Sequence, residues 1–201
     1  MAKENDLYIF DFDGTITSRD SLLHFLAFSK KRSELFIGYM MILPFVILMK
    51  LKLYSNEKAK IKLFSFHFKG TPKDEFVELC KDFGKNELPK IIKPSFLEYV
   101  DRLRQENAKA EMVIVSASLN SYLRYWCEEM RFNLLATVPE FENSFVSGRF
   151  ATNNCHGGEK VIRIIEEYTL SDYKTIYVFG DTAGDLPMMK LGDKSYYKYF
   201  K

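Results

Sequence analysis

The 201-residue chain carries 29 basic and 27 acidic residues, a formal net charge of +2, and 47% of it is hydrophobic. That composition describes a folded globular protein with room for one α/β core and a small insert; the net charge says little about nucleic acid, but the basic residues lack a nucleic-acid module, which argues against DNA or RNA as a partner. Cys80, Cys127 and Cys155 are odd in number and widely spaced, so they form neither a zinc-type pair nor a disulfide framework, and a reducing cytoplasm is the expected setting.

In chain order, the polar residues 1–6 do not read as a signal peptide. The run Leu7-Tyr8-Ile9-Phe10 is short, apolar and β-rich, which predicts a buried strand over about residues 6–11. Asp11-Phe12-Asp13-Gly14 follows as an acidic turn. Helical patterning then dominates from about residue 18 to 106. Asp20 or Ser18 caps a first helix through Leu22, Leu23, Phe25 and Leu26. An apolar stretch over residues 35–49 is interrupted by Pro44, and a further helix is predicted over residues 56–68. Thr71-Pro72-Lys73-Asp74-Glu75 starts the next helix, and Gly84 is expected to end it.

From Pro94 the pattern becomes an alternation of helix and strand. Met112-Val113-Ile114-Val115 predicts a buried strand ending at Ser116. Residues 121–130 read as helix, 134–138 as strand, and 141–150 as a hairpin. Residues 160–168 form a helix, residues 175–179 a strand ending at Gly180-Asp181, and Tyr196-Tyr197 a short last strand. Such alternation predicts a Rossmann-like, mostly parallel α/β sheet with right-handed crossovers. The expected organisation is an α/β core of residues 1–17 and 90–201, with a helical cap of residues 18–89 inserted after the first strand. That position sets the cap over the carboxyl edge of the sheet, where it can exclude water and select substrate.

The chemistry concentrates at strand ends. In a continuing strand Asp11 and Asp13 point to opposite faces. A turn at Phe12 or Asp13 brings both into one pocket, where they repel unless a cation or a shared proton intervenes. After the strand ending at Phe179, the tight turn at Gly180 lets Asp181 and Asp185 face a hard divalent cation. His24, His67 and His156 lack partners at ligand spacing and read as structural, although His156, in the loop entering the Lys160 helix, is placed where it could touch substrate.

Asp11-Phe12-Asp13-Gly14-Thr15 resembles the first motif of the haloacid dehalogenase superfamily, and three further elements match that superfamily in order. Val113-Ile114-Val115-Ser116-Ala117-Ser118 resembles the second motif. Lys160, in Gly157-Gly158-Glu159-Lys160-Val161, resembles the third-motif lysine. Gly180-Asp181-Thr182-Ala183-Gly184-Asp185 resembles the fourth, with Gly184 where the phosphoserine phosphatase-like branch has Asn. The resemblance implies a magnesium-dependent phosphatase. Asp11 would be the nucleophile that forms an aspartyl phosphate and Asp13 the general acid and base. Lys160 would offset negative charge. Mg2+ would be held by Asp11, the backbone carbonyl of Asp13, Asp181 and Asp185. Ser116 and a backbone N–H beside it, taken as that of Ala117, would hold phosphate oxygens, and Thr15 would join them at the substrate. The related ion-pumping ATPases have Thr at the position of Asp13 and keep a long-lived aspartyl phosphate, so an acid there implies rapid hydrolysis.

Within the superfamily, a helical insert after the first motif resembles the phosphoserine phosphatase-like subgroup. Asp20 falls where an acid recognises the substrate amine there. The cap arginine that grips the serine carboxylate has no clear counterpart, since Arg32 is the only arginine between Arg19 and Arg102. Residues 35–49 carry no charge. As a helix they would span roughly 22 Å, short of the roughly 30 Å hydrocarbon core, and Pro44 would kink or split them. Basic residues flank the stretch, a layout similar to the insert of bacterial phosphatidylglycerophosphate phosphatases of this superfamily. The expected substrate is a small-molecule or lipid phosphate. The alternatives are phosphoserine hydrolysis, phosphoryl transfer or mutase activity, and a non-catalytic phosphate-binding module at a membrane. Residues 35–49 read either as a buried pair of cap helices or as a membrane-facing segment in peripheral contact with the inner face of a membrane.

Overall fold

The computed structural model describes residues 5–50 and 56–201. The start of the polar N-terminal segment and Lys52 of the basic flank lie outside the described residues. Five parallel strands form one sheet in the order β3-β2-β1-β6-β7. They are β1 Leu7–Phe10, β2 Glu111–Leu119, β3 Asn133–Thr137, β6 Ile176–Gly180 and β7 Lys194–Tyr197, with β4 Pro139–Glu142 and β5 Phe145–Phe150 forming a separate hairpin.

All four residues of β1 are buried, because both faces of the sheet are covered. Leu7 and Ile9 pack with Val113, Val115 and Val178 under Ile164 and Met188, which belong to α7 (Gly158–Glu167) and α8 (Leu186–Met189). Tyr8 and Phe10 face the other way, toward α5 (Pro94–Glu106) and α6 (Asn120–Glu129). Phe10 meets Phe96 edge-on at 5.3 Å and stacks on Phe179 at 4.8 Å. Later strands join β1 on both sides, so the order reverses at β1 and β6. An open α/β sheet places its ligand crevice at the carboxyl end of such a reversal.

The helical block between β1 and α5 comprises α1 (Ser21–Ser29), α2 (Arg32–Lys50), α3 (Asn56–Phe68) and α4 (Lys73–Asp82). The chain leaves and re-enters the sheet domain through adjacent segments. Thr17 bridges Ile92, Ser18 N–H donates to the Ile91 carbonyl at 2.8 Å, and Lys93 N–H donates to the Ile16 carbonyl at 2.8 Å. The insert is not loosely tethered, since Phe25, Phe64, Phe68, Phe76 and Phe83 are continuous with the core around Tyr122.

Four local expectations are corrected. Helix α2 runs unbroken through Pro44. Pro44 and Met40, the residue whose carbonyl loses its partner, are both exposed, so water can take the place of the missing N–H. Gly84 does not end α4, because the chain continues through a π-helical turn, Phe83–Glu87. A Cβ at Gly84 would lie 2.4 Å from the Tyr122 carbonyl oxygen, so the glycine serves close packing on α6. Strand β2 passes Ser116 and reaches Leu119, with a register irregularity against β3 between those residues. The hairpin β4–β5, expected within the 90–201 core, packs on the insert instead. Phe150 lies 5.4 Å from Phe64, Phe141 lies 6.0 Å from Phe76, and Pro72 bridges Phe145.

Candidate active site

Asp11 follows β1 directly, and its N–H donates to the Phe179 carbonyl at 2.9 Å, which fixes it to the edge of β6. Gly14 then takes φ +83°, and a Cβ there would lie 2.5 Å from Asp181 Oδ2. Both constraints demand glycine, and together they let the first acidic turn close on the fourth. The carboxylates of Asp11, Asp181 and Asp185 offer oxygens that all lie within 4.8 Å of one another. Lys160, buried at the start of α7, donates to Asp11 Oδ1 at 2.5 Å and to Asp185 Oδ1 at 2.7 Å. Two of the three carboxylates contact this ammonium and Asp181 does not, and an oxygen-rich set with excess negative charge suits a hard dication such as Mg2+.

The electrostatics separate these acids. Burial raises the Asp11 carboxyl to about 6, and Asp185 adds to the rise while Lys160 and Thr15 oppose it. Burial also acts against the charged form of Asp185. Lys160 and hydrogen bonds from the Thr182 N–H and hydroxyl outweigh it and hold Asp185 below the ordinary carboxylate range. For Lys160, burial is outweighed by its two acidic partners, and its ammonium is held above the usual lysine range.

Asp13 stands outside the three-carboxylate group. Its Oδ1 accepts from the Ser21 N–H at 2.7 Å, and its Oδ2 accepts from the Ser118 hydroxyl. The Ser21 hydroxyl donates to Ser118 Oγ at 2.9 Å, and the Tyr122 hydroxyl lies 3.2 Å from Ser21 Oγ. Each hydroxyl has one proton, so the chain runs Tyr122 to Ser21 to Ser118 to Asp13. Burial, reinforced by the charge of Asp20, pushes the Asp13 carboxyl above its ordinary range. Asp11 and Asp13 are therefore held by different partners at the same cleft.

That cleft, about 480 Å3, is lined by Asp11, Asp13, Ser116, Ala117, Lys160 and Asp185 on the sheet side. Among the other expected site residues, Asp20 lines it as well, while its Oδ1 caps α1 by accepting from the Leu23 N–H at 2.9 Å. Ser116 is buried, and its Oγ accepts from the Ser118 N–H at 3.0 Å. The Ala117 carbonyl accepts from Thr137 Oγ1 at 3.0 Å. Thr15, expected at the substrate, is buried behind the cleft lining: its hydroxyl lies 2.8 Å from Asp11 Oδ2 and 3.0 Å from Asp181 Oδ1, clamping the two carboxylates.

Two residues of the site, Lys60 and Ser118, escaped the sequence reading, and a third, His156, gained no definite role from it. Lys60 reaches from α3 to the Ala117 carbonyl beside Asp13 and Asp20. Burial pushes its ammonium below the ordinary lysine range, against the pull of those acids. In the sequence Lys60 is one of three alternating lysines with Lys58 and Lys62, and no local signal sets it apart. Ser118 enters the site through the irregularity in β2, which the apolar pattern does not reveal. His156, read as structural, lines the cleft, and a Cβ at Gly184 would lie 2.3 Å from its Cε1. The departure from Asn at position 184 was legible, but its spatial partner was not.

A family model described as haloacid dehalogenase-like hydrolase matches residues 8–190. Protein CicA of Caulobacter vibrioides is 28% identical over 207 positions, which cover all of this chain and 89% of that protein. The fold is similar to that of a protein of unknown function from Bordetella pertussis Tohama I. There the TM-score is 0.78 at 18% identity, over 95% of this chain and 88% of the other. A probable phosphoserine phosphatase from Vibrio cholerae has TM-score 0.70 at 14% identity, over 97% of this chain and 56% of the other. An apo phosphoserine phosphatase has TM-score 0.61 at 18% identity, over 96% of this chain and 86% of the other. At these identities the structural likeness speaks for the fold.

Proposed function

The chain belongs to the haloacid dehalogenase-like hydrolases, and from that membership we propose that it is a magnesium-dependent phosphatase working through an aspartyl phosphate. The observation that carries the reading is the division between Asp11 and Asp13. Asp11 is buried against Lys160, 2.5 Å away, while Asp13 is held two residues on by Ser21 and Ser118. Neighbouring carboxyls in unlike environments can take different roles at one pH.

In this mechanism an oxygen of ionised Asp11 attacks phosphorus. The bond to the leaving alkoxide breaks, and Asp13 supplies the proton that alkoxide takes. Water then attacks phosphorus in the aspartyl phosphate and passes a proton to Asp13. Inorganic phosphate leaves and the Asp11 carboxylate is restored. Lys160 offsets charge on Asp11 throughout. Asp11, Asp181 and Asp185 are the side chains that would hold Mg2+, which when bound supplies charge neutralisation to the phosphoryl oxygens.

For the substrate, support comes from the cleft wall. Leu22, Leu23, Tyr39, Ala59 and Leu63 give it an apolar side, which suits a phosphate monoester with an apolar organic group, lipid phosphates included. One observation favours a second reading: Asp20 and Lys60 place opposite charges in the same cleft, which suits an amino-acid phosphate such as phosphoserine. The test is phosphate release from p-nitrophenyl phosphate, phosphoserine and a short-chain lysophosphatidic acid, with Mg2+ and with chelator. Asp11→Asn is expected to remove at least about 10³ of the turnover and all acid-stable phosphoryl labelling of the protein. Undiminished turnover in that variant sinks the mechanism.

A further inference from the structure

Helix α2 is apolar on two opposite sides. One side faces the insert: Gly38 is buried, a Cβ there would lie 2.3 Å from His67 Nε2, and Gly38, Phe45 and the half-exposed Met41 border Lys62, Leu63 and Phe66. The other side carries Phe36, Met40, Leu43 and Ile47 at spacings of i, i+4, i+7 and i+11, which place them along one face. Their exposures are 64%, 49%, 46% and 52%. Ile37 and Tyr39 flank the stripe and are exposed as well. A helix apolar all round is ordinarily buried all round, and a contiguous apolar stripe of this kind marks an interaction surface.

Charge identifies the partner. Residues 30–62 hold eight basic residues and two acidic ones, a net +6, while the whole chain carries +2. The remaining residues therefore sum to −4, so the positive charge is concentrated in the stretch of sequence that contains this helix. Lys30, Lys31 and Arg32 stand at its start and Lys50 at its end, while Lys62 of α3 lies over the Phe45 ring at 4.6 Å on the inward side. An apolar helical face with cations at both ends fits the headgroup and acyl boundary of an anionic bilayer. Among the described residues no helix is long and apolar enough to cross a membrane, so the fitting geometry is a helix lying in the interface.

We propose that the outer face of α2 seats this protein on an anionic membrane surface, with Phe36, Met40, Leu43 and Ile47 entering the lipid. The same helix contributes Tyr39 to the candidate active-site cleft, so seating it brings the mouth of that cleft to the headgroup layer. Only this last consequence rests on the phosphatase reading, and the docking itself does not.

The test is flotation of the full chain with vesicles of phosphatidylcholine alone and with added phosphatidylglycerol, at low and high salt. It is repeated for a Met40→Ser/Ile47→Ser variant, with sedimentation giving the oligomeric state of both proteins. The expected result is flotation that needs the anionic lipid, weakens in high salt, and falls roughly tenfold or more in the variant. Hydrolysis of p-nitrophenyl phosphate, a soluble substrate, should stay unchanged in the variant, which also shows that it folds. Absence of flotation at low salt overturns the proposal. So does a stable dimer that the variant converts to monomer, since the face would then belong to a second copy of the chain. Because flotation needs no turnover, a failure of the phosphatase reading would leave this result intact.

Discussion

Replacing Lys160 by Met probes the balance on which the site depends. The methionine keeps most of the buried stem and deletes the ammonium that contacts Asp11 at 2.5 Å and Asp185 at 2.7 Å. Breaking a buried ion pair from one side costs about 3–5 kcal/mol, because the remaining charge is stranded. For a chain of this size that is a fall in melting temperature of about 6–20 °C. Asp11 is already raised to about 6 with Lys160 opposing the rise, so its removal pushes the carboxyl higher and protonates the nucleophile near neutral pH. Turnover of an aryl phosphate at pH 7.5 should fall at least about 10²-fold, and the acid limb of the rate profile should move upward.

The pH dependence of stability has a definite sign. In the native protein the raised Asp11 carboxyl makes its own contribution fall as pH rises from roughly 4 to about 6. The stabilising contribution of Lys160 persists across that window because its ammonium is held above the usual range. Without Lys160, the repulsion between Asp11 and Asp185 is relieved only by protonation. The melting deficit should therefore be greatest at neutral and alkaline pH and shrink toward pH 5. Scanning calorimetry across pH, beside the rate profile, measures both effects. A variant with an unmoved acid limb and a deficit independent of pH would show that Lys160 does not set the charge state of Asp11.

Magnesium binding should be coupled to the Asp11 proton: below about pH 6 its apparent affinity should fall by up to about tenfold per unit. Calorimetric titration at pH 7.5 and pH 5 checks this, and equal affinities would remove Asp11 from the ligand set. Gly184→Asn, which restores the residue usual in the phosphoserine phosphatase-like branch, should displace His156, because the new Cβ would lie 2.3 Å from its Cε1. Melting temperature should drop, and adding His156→Ala should recover most of the loss. A harmless Gly184→Asn alone would mean that the two positions are uncoupled.

The sequence by itself determined the sheet and the order of its chemistry. Runs such as Leu7-Tyr8-Ile9-Phe10 and Met112-Val113-Ile114-Val115 are short, apolar and bounded by turns, and burial on both faces leaves such runs few alternatives. Asp11, Asp13 and Asp181 were legible because they stand where an apolar run ends and a glycine turns the chain, and Asp185 because it completes the motif that begins at Gly180. Position in space was another matter. That Asp13 belongs with Ser118 and Ser21, away from the three-carboxylate group, depends on an irregularity in β2 that leaves no mark on the apolar pattern. That Lys60 rather than Lys58 or Lys62 enters the cleft depends on how α3 is rotated against the sheet. Side chains brought together across more than a hundred residues are selected by packing, and local periodicity carries no information about that choice. The same holds for α2: its composition announced an apolar helix, and only the fold decided which of its two apolar sides was left facing outward.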